Sequence, residues 1–75
     1  MPHVVVKLWP GKSEEQKQRL AEAITREMVD ILQSGEQSIS IGFEEVPAEE
    51  WKEAVYDPEI RGKSETLYKK PGYSM

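Results

Sequence analysis

The 75-residue chain has no cysteine and a single histidine, His3. Without cysteine there are no disulfides and no thiolate metal sites, and nothing points to secretion. One histidine excludes a multi-histidine metal centre. Long apolar runs are also missing: no stretch approaches the roughly 20 residues that a membrane-spanning helix needs. No basic segment followed by an apolar core opens the sequence, as it would in a secretion signal. Positive charge is in deficit. Ten Lys and Arg face fourteen Asp and Glu, a formal net charge of −4, which argues against nucleic acid or a membrane surface as partner. The location expected from these absences is the cytoplasm. Repeats, low-complexity tracts and linkers are absent too. The length predicts one domain over residues 1–75, near the lower limit for a chain that folds alone.

What is present is organised by two periods. Alternation puts Pro2, Val4, Val6 and Leu8 on one face and His3, Val5, Lys7 and Trp9 on the other, which predicts a strand over 2–9. Pro10-Gly11 is a turn signal. Ser13-Glu14-Glu15-Gln16 has the form of a capping box, so a helix is expected over 14–33 with Gly35 as its stop. Leu20, Ala23, Ile24, Met28, Ile31 and Leu32 supply its apolar stripe at helical spacing. The period then returns to two over 38–46, with Ile39, Ile41 and Phe43 on one face and Ser38, Ser40, Gly42 and Glu44 on the other. Strand, long helix and strand form a right-handed crossover, so the two strands are expected to be parallel neighbours. The fold class is therefore α+β, a single small β-α-β domain. Beyond it, Pro47 introduces a short helix over 48–55 with Trp51 inward, Asp57-Pro58-Glu59 marks a further capped turn, and 64–70 reads as either helix or strand. A two-stranded sheet covered by one helix leaves one face and both edges open, so the unit is expected to be oligomeric.

The most informative residue for function is Pro2. Once Met1 is removed, the Pro2 nitrogen changes from an amide into a secondary amine, which is both a base and a nucleophile. A free α-amino group titrates near pH 8, and an apolar pocket or a neighbouring cation pushes it lower. The β-branched run after it would hold this amine rigidly at the start of a strand.

Pro2, the segment Gly11-Lys12-Ser13-Glu14-Glu15-Gln16-Lys17, the long helix, Ser38-Ile39-Ser40-Ile41 and Trp51 together resemble the 4-oxalocrotonate tautomerase family. The resemblance covers about two thirds of the chain. It implies the β-α-β tautomerase fold, no cofactor or metal, and an amino-terminal proline as catalytic base, here Pro2. The carboxyl-terminal extension over 56–75, ending Lys69-Lys70-Pro71-Gly72-Tyr73-Ser74-Met75, is similar to that of the PptA-type phenylpyruvate tautomerases of the same family. Those members are dimers, whereas shorter ones are typically hexamers, which implies a homodimer here. An arginine of the strand-helix turn in that family corresponds to Lys12, so the cation is kept and the two-pronged donor is lost. The strand-two arginine corresponds to Ser40, which carries no charge. The aromatic pocket wall corresponds to Trp51.

The two changes fit a monocarboxylic 2-keto acid with an apolar or aromatic tail better than a dicarboxylate. Ketonisation of an enol moves one proton from the hydroxyl to C3, which a single neutral amine can do if its pKa is brought near the working pH. Lys12, His3, Ser40 and backbone amides are the candidate donors to the developing oxyanion, with Arg61 and Lys63 as candidate replacements for the lost cation. The expected partner is thus a small 2-keto acid or its enol. The competing expectation is a non-catalytic oligomeric binding module that keeps the fold.

Overall fold

The computed structural model describes residues 1–75. Strand β1 (His3–Leu8) runs parallel to β2 (Ser40–Glu45), and α1 (Glu14–Leu32) makes the crossover between them. The register pairs His3 with Ser40, Val4 with Ile41, Val6 with Phe43 and Lys7 with Glu44. Because paired residues in a parallel ladder share a face, Val4, Ile41, Val6 and Phe43 line the helix side. His3, Ser40, Val5, Gly42, Lys7 and Glu44 line the other.

The turn into α1 is set by two local devices. Gly11 takes a positive φ of 122°, a conformation that strains any residue with a Cβ. The capping box then closes as the sequence predicts: Ser13 Oγ accepts from the Gln16 amide at 3.0 Å and the Gln16 side chain accepts from the Ser13 amide at 2.9 Å. Lys17 on the first turns pairs with Glu45 at the end of β2 at 2.6 Å and with Glu14 at 3.1 Å. These carboxylates raise the Lys17 ammonium above the usual lysine value.

Several boundaries differ from the sequence expectation. The helix stops because Gln33 adopts the left-handed conformation (φ 58°), whereas Gly35 is extended and leads into a 3₁₀ turn over Glu36–Ser38. That turn removes Ser38 and Ile39 from the second strand. The apolar stripe is only partly covered. Ala23, Ile24 and Met28 are half-buried, but Leu20, Ile31 and Leu32 are exposed. A helix of this length extends about 28 Å and strands of this length about 20 Å, so the sheet is too short to cover the whole helix.

The larger correction comes after Pro47. In place of a short helix and a separate capped turn, a 3₁₀ turn (Ala48–Glu50) feeds a continuous π-helix over Lys52–Arg61 with Pro58 inside it. An α-helical ladder would drive the Pro58 ring into the Ala54 carbonyl. The wider i→i+5 ladder opens the turn, as in the Gly62 amide bond to the Asp57 carbonyl at 2.9 Å. A Cβ on Gly62 would lie 2.8 Å from both the Asp57 and Pro58 carbonyl oxygens, so only glycine closes this helix. The segment is pinned to the open face of the sheet by Lys7, whose ammonium is held by Glu59 and lies 3.9 Å from Glu44. After a 3₁₀ turn at Ser64–Thr66, residues 67–75 have no regular structure.

Only Val55 and Tyr56 are buried, and no side chain is fully enclosed. The radius of gyration is 13.9 Å, against about 11 Å for a compact chain of this length. The accessible surface is 5890 Å², against about 4,700 Å² for a folded monomer of this size. No helix is long and apolar enough to cross a membrane.

Candidate active site

The sheet divides the sequence-predicted site residues into two groups. Pro2, His3 and Ser40 gather at one end. Pro2 is half-buried, and its carbonyl accepts from the Ser40 amide at 3.2 Å, so the ladder continues through it and fixes its position. Met1 beyond it is fully exposed. His3 Nδ1 and Ser40 Oγ lie 2.6 Å apart on the open face of the sheet. The seventh-residue spacing to Trp9 then carries β1 away by roughly 20 Å.

Lys12 and Trp51 sit at that opposite end. Lys12 lies in the turn between Gly11 and the capping box, exposed and without an ion pair or side-chain hydrogen bond. Trp51 begins the π-helical segment and, with Lys7, Leu8, Trp9, Tyr73 and Met75, lines a hollow of about 520 Å³. The indole N–H of Trp51 donates to the Tyr73 hydroxyl at 3.1 Å, and the Tyr73 ring packs on Tyr56 with 5.7 Å between centroids. The only charged lining residue, Lys7, is already engaged by Glu59 and Glu44, which hold its ammonium above the usual lysine value. This hollow therefore offers apolar walls and no free cation. Arg61 is partly committed as well, with Nη2 3.4 Å from Asp57, whereas Lys63 has no carboxylate partner.

Within one chain, then, the base candidate and the aromatic wall are not brought together. Tyr73 and Met75 were not legible as pocket residues. The Pro71-Gly72 turn signals a reversal of the tail, but no periodicity links Tyr73 to Trp51, 22 positions earlier.

Comparison with known proteins gives a consistent result. The family model described as "Tautomerase enzyme" matches residues 2–55, beginning at Pro2. A protein named "Tautomerase PptA" from Cronobacter sakazakii is 46% identical over 76 positions and covers 100% of both chains. A Tautomerase PptA of Escherichia coli is 45% identical over the same extent. A "Probable tautomerase" of Xylella fastidiosa is 40% identical over 75 residues, covering 100% of this chain and 92% of that one. Among solved structures, YwhB, a homologue of 4-oxalocrotonate tautomerase, superposes with a TM-score of 0.59 at 33% identity over 61% of this chain and 75% of its own. A family pattern that begins at the residue held by the Ser40 amide, together with full-length relatives of the same name, shows that this chain belongs to the tautomerase family of isomerases.

Proposed function

We propose that this tautomerase, once Met1 is removed, interconverts the enol and keto forms of 2-keto acids with an aromatic tail, without a cofactor, as a cytoplasmic homodimer whose general base is Pro2. The observation that carries the reading is Pro2 itself: a half-buried proline locked into the parallel ladder at the residue where the family pattern starts. The secondary amine takes the proton of the enol hydroxyl. The oxygen electrons form the carbonyl, and the C2–C3 π electrons take a proton back from the prolinium at C3. Both ends of the transfer use one nitrogen, which returns to its neutral form. His3 and Ser40 stand beside the base as donors to the oxygen.

The dimer follows from the free edge of β1. Pro2 and Leu8 bond to β2, and by alternation so do Val4 and Val6, which leaves the backbone groups of His3, Val5 and Lys7 without a strand. Antiparallel pairing of two copies that uses all three puts a two-fold axis at Val5, sets His3 against the partner's Lys7, and sets Pro2 against the partner's Leu8. Directly opposed residues lie about 5 Å apart. Each proline thereby meets the hollow at the far end of the other β1, and the two halves of the site are completed between copies. The surplus surface supports this: the excess of about 1,200 Å² over a compact monomer exceeds the ~800 Å² that one partner contributes to a standard interface. Light scattering at micromolar concentration should give twice the chain mass. A mass of one or six chains would contradict this pairing.

The reaction is tested by following decay of the phenylpyruvate enol in the ultraviolet, with protein whose mass confirms loss of Met1. Acceleration over buffer is expected. No acceleration overturns the reading in favour of a binding module of the same fold.

A further inference from the structure

We infer that Tyr73, carried back by the carboxyl-terminal tail, is a specificity-determining residue: it sets the size of the hollow that receives the substrate's aromatic ring and holds Trp51 as the facing wall. This rests on the tautomerase reading above and goes beyond it, because the tail is given a role in choosing the substrate.

Tyr73 is fixed from two sides. Its hydroxyl accepts from the Trp51 indole at 3.1 Å, and its ring stands against Tyr56, one of the two buried residues. The Tyr73 hydroxyl gives the Trp51 indole N–H a fixed acceptor, which orients the plane of this wall. Met75, two residues on, lines the same hollow, so the last turn of chain is a wall of the pocket. The volume of about 520 Å³ is within the range of small-molecule sites, about 300–1,000 Å³. Its charge pattern decides which end of a substrate enters. The one cation, Lys7, is satisfied by two carboxylates, Glu59 and Glu44, so a substrate carboxylate finds no free donor there, and the uncharged ring is the end that fits. Leu8 and Trp9 at the end of β1 connect this hollow to the edge that faces the partner's Pro2 in the proposed dimer.

The test compares two carboxylates that differ in the ring alone, 3-phenylpropionate and butyrate, as ligands of the Met1-free dimer by titration calorimetry, alongside kinetics on the phenylpyruvate enol. Wild type should prefer the aryl acid. Tyr73→Ala should reduce that preference about tenfold, the scale set by apolar contacts in a specificity pocket. The same variant should raise KM for the phenylpyruvate enol with a smaller change in kcat, the pattern of lost ring binding. Tyr73→Phe keeps the ring against Tyr56 but removes the acceptor of the Trp51 indole, and should lose part of the preference, less than Tyr73→Ala. Tyr73→Trp narrows the hollow while keeping an aromatic ring to pack on Tyr56, and should lower the preference even if the alanine variant does not fold. An aryl preference that is the same in wild type, Tyr73→Ala and Tyr73→Trp would overturn the inference. Because the binding ratio is read without turnover, an inactive wild type that still prefers the aryl acid in a Tyr73-dependent way counts against the tautomerase reaction and not against Tyr73.

Discussion

Protein that keeps Met1 is expected to tautomerise the phenylpyruvate enol about a hundred to ten thousand times more slowly than protein that begins at Pro2, the range a positioned base contributes. With Met1 attached, the Pro2 nitrogen is an amide and cannot accept a proton. The comparison isolates chemistry from folding. The Ser40 amide donates to the Pro2 carbonyl, and that bond is available in either form. Met1 itself is fully exposed and packs on nothing in its own chain. Pro2→Ala, with Met1 removed, offers a primary amine at the same place and should retain part of the activity. A halopyruvate should alkylate the amino-terminal peptide and inactivate in parallel, in the Met1-free protein only. Full activity in a sample whose mass shows Met1 intact would end the assignment of Pro2 as base.

Ser40→Arg should move substrate preference toward a dicarboxylate such as 2-hydroxymuconate by roughly ten- to a hundredfold. One charge-assisted hydrogen bond contributes about 1.5 to 3 kcal/mol, and each 1.4 kcal/mol is a factor of ten. Ser40 is exposed at the Pro2 end of the sheet, on the same face as His3 and bonded to it. A guanidinium there would stand beside the proposed base and meet a carboxylate in two-pronged fashion. The exposed His3 to Ser40 hydrogen bond is lost in the exchange, a small cost next to the charge gained. The measured quantity is the ratio of specificity constants for the two enols. A ratio equal to that of wild type means that Ser40 does not face the substrate.

Much of the scaffold is legible because it rests on local rules. Two-residue alternation gives β1 and β2, helical spacing gives α1, and Ser13 with Gln16 marks its first residue. The helix end is not written in the sequence, because Gly35 is the obvious left-handed candidate, yet Gln33 takes that conformation two residues earlier. The segment after Pro47 escapes the local rules for a related reason. Pro58 signals a break to any rule built on the i→i+4 ladder, and a wider ladder evades the rule. The grouping of the candidate site residues in space is not written in the sequence. Ser40 meets His3 through the register of two strands 37 positions apart. Lys12 and Trp51 are carried to the far end of β1 from Pro2 by strand length alone, a separation that the proposed antiparallel pairing of two chains would close. The place of Tyr73 beside Trp51 is not legible, because its two contacts are tertiary and made by a tail without periodic structure.

The near absence of a private interior, with Val55 and Tyr56 alone buried, gives the proposed dimer a thermodynamic consequence. A chain that shares its apolar surface with a second copy folds by a bimolecular reaction, and its stability obeys mass action. The thermal midpoint should then rise with protein concentration, where an independently folded chain would show one value at every dilution. In the proposed dimer, activity per chain should fall on dilution at the point where the midpoint falls, because one encounter would both cover the exposed sheet edge and assemble the site. Concentration would then be a structural variable.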